Sequence, residues 1–114
     1  MDADISRLKH KILAAKGQVP ADRVFKHARV VNVFSGEIQR RDVAVCEGMI
    51  VGVGQDYHGG AEEIDLEDRW VIPGLIDAHL HIESTMLTPS RLAEALVVHG
   101  TTTIISDPHE VANV

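Results

Sequence analysis

The chain has 114 residues, 45% of them hydrophobic and 25% charged, with a formal net charge of −6. That length bounds it to at most one ordinary domain, and the composition is that of a globular protein rather than a disordered or fibrous one. The acidic balance gives no electrostatic case for nucleic acid or an anionic membrane as a partner, no apolar run is long enough to span a bilayer, and a lone cysteine, Cys46, excludes an intrachain disulfide and a cysteine-rich zinc site.

Asp2 and Asp4 at the N-terminus do not read as a signal peptide, so the expected location is a reducing cytoplasm. Residues 4–16 place Ile5, Leu8, Ile12 and Leu13 on one helical face. Asp4 suits the start of that helix, and Gly17 suits its end. Residues 23–34, rich in β-branched side chains, predict a strand turned at Ser35-Gly36. Residues 37–54 predict a hairpin with Glu47-Gly48 at its turn, and a short strand is expected within 62–67. Residues 20–70 together predict part of a small antiparallel sheet layer. His10, His27 and His58 sit among polar neighbours and read as surface residues.

The texture changes at Trp70. "WVIPGLIDAHLHI" predicts a strand after a Pro-Gly turn. Side chains alternate along a strand, so Ile76, Ala78, Leu80 and Ile82 would share one face and Asp77, His79, His81 and Glu83 the other. Residues 88–100 predict a short helix, with Thr88 as cap, Pro89 in the first position, Gly100 at the stop, and Leu92, Ala95, Leu96 and His99 on the inner face. Residues 101–107 predict a second strand. Strand, helix, strand at this spacing is a βαβ unit, which wants parallel strands.

Two histidines at i and i+2 on one strand lie roughly 7 Å apart along the chain, and their rings can converge on one metal ion. A solvated sheet face is the bland alternative for any His-x-His. Within a βαβ unit both faces of a strand are usually covered, so a continuous polar face needs a strong partner, and a divalent cation supplies one. Asp107, His109, Glu110 and Asn113 follow the second strand, at the carboxyl end where parallel α/β folds bind ligands. A helix cap is the plainer role for Asp107 and is compatible with a place in the site. "HIE" at 81–83 matches half of the H-x-E…P-C-x-x-C signature of small zinc nucleobase deaminases, but a single cysteine cannot supply the other half.

"VIPGLIDAHLHIE" resembles the first barrel strand of the amidohydrolase superfamily, and residues 32–54 resemble the small β-domain that leads into that barrel. "HIESTMLTP" with "HGTTTIISDPHEVANV" is similar to the adenine-deaminase family within that superfamily. The resemblance implies an α/β fold with a β-sheet layer: an N-terminal helical segment at 1–19, part of a small β-sandwich-type domain at 20–70, and at 71–114 the first strands and helix of a TIM (β/α)8 barrel. It implies that His79 and His81 are the first two metal ligands, and that Glu83, Asp107, His109 and Glu110 lie near the metal and purine pocket. The implied chemistry is hydrolysis of adenine to hypoxanthine and ammonia, on a binuclear centre of manganese or iron, in a full-length homo-oligomer without nucleic-acid or membrane partners.

A whole barrel needs about 250 residues. The expectation is therefore a truncated N-terminal piece, inactive alone for want of further ligands. Another amidohydrolase acting on a cyclic amide or amidine is the alternative enzyme. A non-catalytic metal-binding remnant would replace barrel-facing apolar residues by charge, and Leu96, Ile104 and Ile105 show no such replacement.

Overall fold

The structure is a computed structural model that describes residues 2–57 and 59–107. The chain divides after Ile72 into two compact units.

The first unit carries helix α1 (Asp2–Ala15) and strands β1 (Arg23–Asn32), β2 (Glu37–Cys46), β3 (Met49–Gly54), β4 (Glu62–Asp65) and β5 (Trp70–Val71). One sheet runs β3-β2-β1-β4, with β5 also on β1. The β1–β2 and β2–β3 pairs are antiparallel, as the hairpin pattern predicts. β4 and β5 are parallel to β1, so the expected antiparallel layer is in fact mixed. The cause is the connection after β3, which returns to the start of β1: Ala61 N–H donates to Ala21 O at 2.8 Å and Glu62 N–H to Asp22 O at 3.1 Å. β4 must then run the same way as β1. Among the described residues this unit forms a single sheet, without the second layer that a sandwich requires.

Glu47 and Gly48 both have positive φ, at 48° and 72°, the backbone of a type I′ hairpin turn. The core gathers Ala14, Ala21, Val24, Ala44 and Cys46, with Val19, Val51 and Tyr57 packed against it. α1 enters that core by Ala14 near its C-terminal end. Gly17, at φ 67°, closes the helix there, with Gly17 N–H on Ala14 O and Gln18 N–H on Leu13 O, both at 2.9 Å. This is the Schellman arrangement. The expected apolar face is not buried: Ile5, Leu8 and Ile12 are 60%, 59% and 47% exposed. Small Ala14 lets the last turn approach the sheet, while the larger side chains of earlier turns stay outside.

The second unit holds β6 (Leu75–Asp77), a 3₁₀ turn (Glu83–Thr85), α2 (Pro89–Val97) and β7 (Thr101–Ile104). β6 and β7 pair in parallel across the helical connection, as the βαβ pattern predicts. β6, however, ends at Asp77 rather than running to Ile82. Asp77 Oδ1 accepts the His79 N–H at 3.1 Å, a local bond that takes an amide a strand ladder would use. The chain stays alongside its neighbour all the same, with Ile105 N–H on Asp77 O at 2.8 Å and Leu80 N–H on Ile105 O at 3.1 Å. Gly74 stands where a Cβ would lie 2.1 Å from Thr102 Oγ1, so only glycine admits this close approach of the two strands.

α2 begins as predicted, with Pro89 in its first turn, although Thr88 makes no side-chain cap bond. Leu92 is its buried residue and Leu96 is half-buried, but Ala95 and His99 are exposed, against the expected inner face. The two-stranded sheet is too narrow to cover a four-residue stripe. An apolar cavity of about 280 Å³ lies between α2 and β7, lined in part by Leu92, Leu96, Val97 and Ile104.

Candidate metal centre

His79 and His81 follow the carboxyl end of β6 directly. Their Nε2 atoms lie 3.1 Å apart, with the rings edge to face at 62° and their centroids 5.0 Å apart. Two ligand nitrogens at 2.0–2.1 Å from a common ion would be about 2.9 Å apart at a right angle and about 3.4 Å apart at a tetrahedral one. The observed separation falls between these values. The separation is thus that of two ligands on one divalent cation, and equally that of a direct hydrogen bond between the two rings.

Glu83 completes the local geometry. Its Oε1 lies 3.2 Å from His81 Nδ1, with the two side chains 11% and 35% exposed, respectively. A carboxylate that accepts a hydrogen bond from Nδ1–H favours the tautomer whose lone pair is on Nε2, the nitrogen beside His79. The 3₁₀ turn holds Glu83 in place, because Thr85 donates to Ile82 O through both N–H (3.0 Å) and Oγ1 (2.6 Å). Asp77 does the corresponding work for His79 through its backbone amide. Sequence reasoning gave Asp77 no such part, although the Asp-x-His spacing is that of an Asx turn.

Asp107 lies beyond the end of β7 and is exposed. His109 and Glu110 lie outside the described residues. The pair is therefore brought together with Glu83, while the described residues add no third ligand atom within 4.8 Å of both ring nitrogens. A further polar atom sits at this end of β7. Ser106 Oγ is buried with no hydrogen-bond partner among the described residues, a hydroxyl that the sequence pattern did not single out.

Residues 70–114 match the model of the Amidohydrolase family. The solved L-hydantoinase (dihydropyrimidinase) from Arthrobacter aurescens is similar, with a TM-score of 0.62 and 28% identity, over 77% of this chain and 21% of that one.

Curated sequences are similar over more of the chain. The chain is 54% identical over 103 residues to the adenine deaminase of Kosmotoga olearia, which covers 90% of this chain and 18% of that protein. It is 46% identical over 114 residues to the adenine deaminase of Oceanobacillus iheyensis, covering 100% of this chain and 19% of that protein. The chain thus spans under a fifth of the length of the curated relatives it matches.

Proposed function

We propose that this chain is the N-terminal part of an adenine deaminase, an enzyme that hydrolyses adenine to hypoxanthine and ammonia. The observation that carries the reading is the convergence of His79 and His81 Nε2 at 3.1 Å, within a segment about half identical to adenine deaminases. In the whole protein, residues 20–70 would form part of a small β-sandwich-type domain behind the helical segment 1–19. Residues 71–114 would supply the first β/α units of a TIM (β/α)8 barrel.

His79 and His81 would hold a divalent ion, manganese or iron, as part of a binuclear centre, since imidazole and carboxylate donors suit both. Such an ion would supply a lowered pKa for water at this site, the chemistry that hydrolysis at the amine-bearing purine carbon needs. Glu83 fixes the His81 tautomer and keeps the ring turned inward. Asp107, His109 and Glu110 are assigned to the same pocket, where a carboxylate or imidazole can carry protons to the departing ammonia. Adenine is the partner; a cytoplasmic homo-oligomer is the expected assembly.

The test is a chimera in which this chain replaces the matching segment of the Kosmotoga olearia adenine deaminase. Adenine turnover should survive the exchange, and His79→Ala within the chimera should lower it by at least about 100-fold, since even outer-shell substitutions at metal sites cost 10–100-fold. The chain by itself should release no ammonia from adenine. A folded, metal-loaded chimera that ignores adenine yet opens a cyclic amide would transfer the assignment to another amidohydrolase.

A further inference from the structure

We infer that the first unit carries a second, separate metal site, a zinc site built from His10, Asp22 and Cys46. One ligand atom from each of the three lies within 4.8 Å of the other two. The residues come from three different segments: His10 from α1, Asp22 from the residue before β1, and Cys46 from the last position of β2. Nothing in their spacing along the chain announces a site. The fold alone assembles it.

The chemistry of the set is specific. A thiolate, an imidazole and a carboxylate form a mixed soft and borderline donor set, which favours zinc over magnesium or calcium. Three protein ligands leave the fourth tetrahedral position to water. A tetrahedral shell would bring these atoms to about 3.3–3.8 Å from one another, so the site must close slightly. His10 is on the exposed face and can supply that movement by ring rotation, whereas Cys46 is fully buried and fixed.

The other groups around the site are already arranged for it. Asp22 Oδ2 accepts the Glu47 N–H at 2.6 Å, which orients the carboxylate beside Cys46 in the way outer-shell bonds orient metal ligands. Of the nearby cations, Lys11 Nζ and Arg7 Nε lie 3.4 and 3.8 Å from Glu47 Oε2, and the Lys11 charge also favours the Cys46 thiolate. The site also answers a mechanical question. α1 leaves Ile5, Leu8 and Ile12 largely exposed and rests on the sheet through Ala14. A metal held by His10 on one side and by Asp22 and Cys46 on the other would staple the middle of the helix to the sheet.

Cobalt(II) titration tests this, using the chain with His79→Ala and His81→Ala so that the other centre is silent. One equivalent should bind with a thiolate-to-cobalt charge-transfer band and tetrahedral ligand-field absorption, and zinc should displace it. Adding His10→Ala, a substitution at an exposed position, should weaken binding by at least about tenfold. It should also abolish the rise in Tm that zinc gives the parent, and Cys46→Ala should remove the charge-transfer band. Cobalt spectra without a thiolate band, or an affinity unchanged by His10→Ala, would overturn the proposal.

Discussion

Asp42 shows how one side chain can organise a sheet. It is 5% exposed and accepts three hydrogen bonds, from Lys26 Nζ at 2.5 Å, His27 N–H at 2.9 Å and Tyr57 N–H at 3.2 Å. The His27 bond explains an irregularity. β1 bulges between Phe25 and Ala28, and His27 there takes φ 52°, so its amide needs an acceptor outside the β1–β2 ladder. Burial pushes the Asp42 carboxyl up, but the Lys26 ammonium and the two backbone donors together outweigh it and hold the group below its usual 3.8. Asp42→Ala would leave the ammonium and two amides without their acceptor, and should cost about 3–5 kcal/mol in a urea melt. The sign of the pH effect follows from the lowered value. The stabilisation is whole above the ordinary carboxylate range and is lost as pH falls through the lower folded value. The advantage of the parent over Asp42→Asn should therefore shrink below about pH 4 and hold constant above it. None of this was legible in the sequence, because Asp42 sits in an ordinary strand pattern and its partners lie far along the chain. His79 and His81 were singled out by an i, i+2 spacing on an expected strand, but β6 ends before them, and the turn after Asp77 accompanies the 3.1 Å separation of their Nε2 atoms.

At the scale of elements, the sequence speaks clearly where a local rule decides and poorly where packing does. The β2–β3 hairpin is the first kind. Glu47-Gly48 requires positive φ at both turn positions, and Gly48 meets it without strain. No atom lies within 4 Å of a Cβ built at Gly48, so Gly48→Ala tests the backbone alone. It should destabilise the chain by about 1–2 kcal/mol, the cost of a left-handed conformation for an L-residue, and a denaturant midpoint shift at constant m would show it. The stops at Gly17 and Gly100, at φ 67° and 86°, were equally readable. β6 is the second kind. Its alternating pattern predicts a strand to Ile82, but Asp77 captures the His79 amide and the regular ladder ends. The same bond that shortens the strand sets the histidine backbone, so the misread boundary and the site have one cause. The direction of β4 was unreadable for a different reason: a four-residue strand carries no signal of which neighbour it will join.

At the scale of the whole chain, the two units differ in how much they bury. The first encloses Val24, Ala28, Val43, Ala44 and Cys46 at 4% exposure or less. Within the second, Leu92 alone of the described hydrophobic residues is buried, while Ile76, Val98 and Ile105 are 65%, 76% and 58% exposed. A fully buried side chain of this size contributes about 1.5–3 kcal/mol, and ordering one residue costs about as much, so a unit with one such residue cannot hold itself closed. Two strands depend on a packed helix for independent stability, and α2 buries only Leu92 there. In the barrel proposed above, apolar residues at these positions would face layers that further β/α units supply. Amide hydrogen exchange on this chain should separate the units. The β1 and β2 amides should open only with global unfolding, whereas those of β6 and β7 should exchange at least about 100-fold faster, a difference of roughly 2.7 kcal/mol. Joined to the rest of the Kosmotoga olearia enzyme in the chimera, the β6 and β7 amides should slow toward the rates of the first unit. Equal protection in the isolated chain would mean that the second unit finds its missing cover in this chain alone or in a second copy, and a concentration series would tell these apart, since only association makes protection depend on protein concentration.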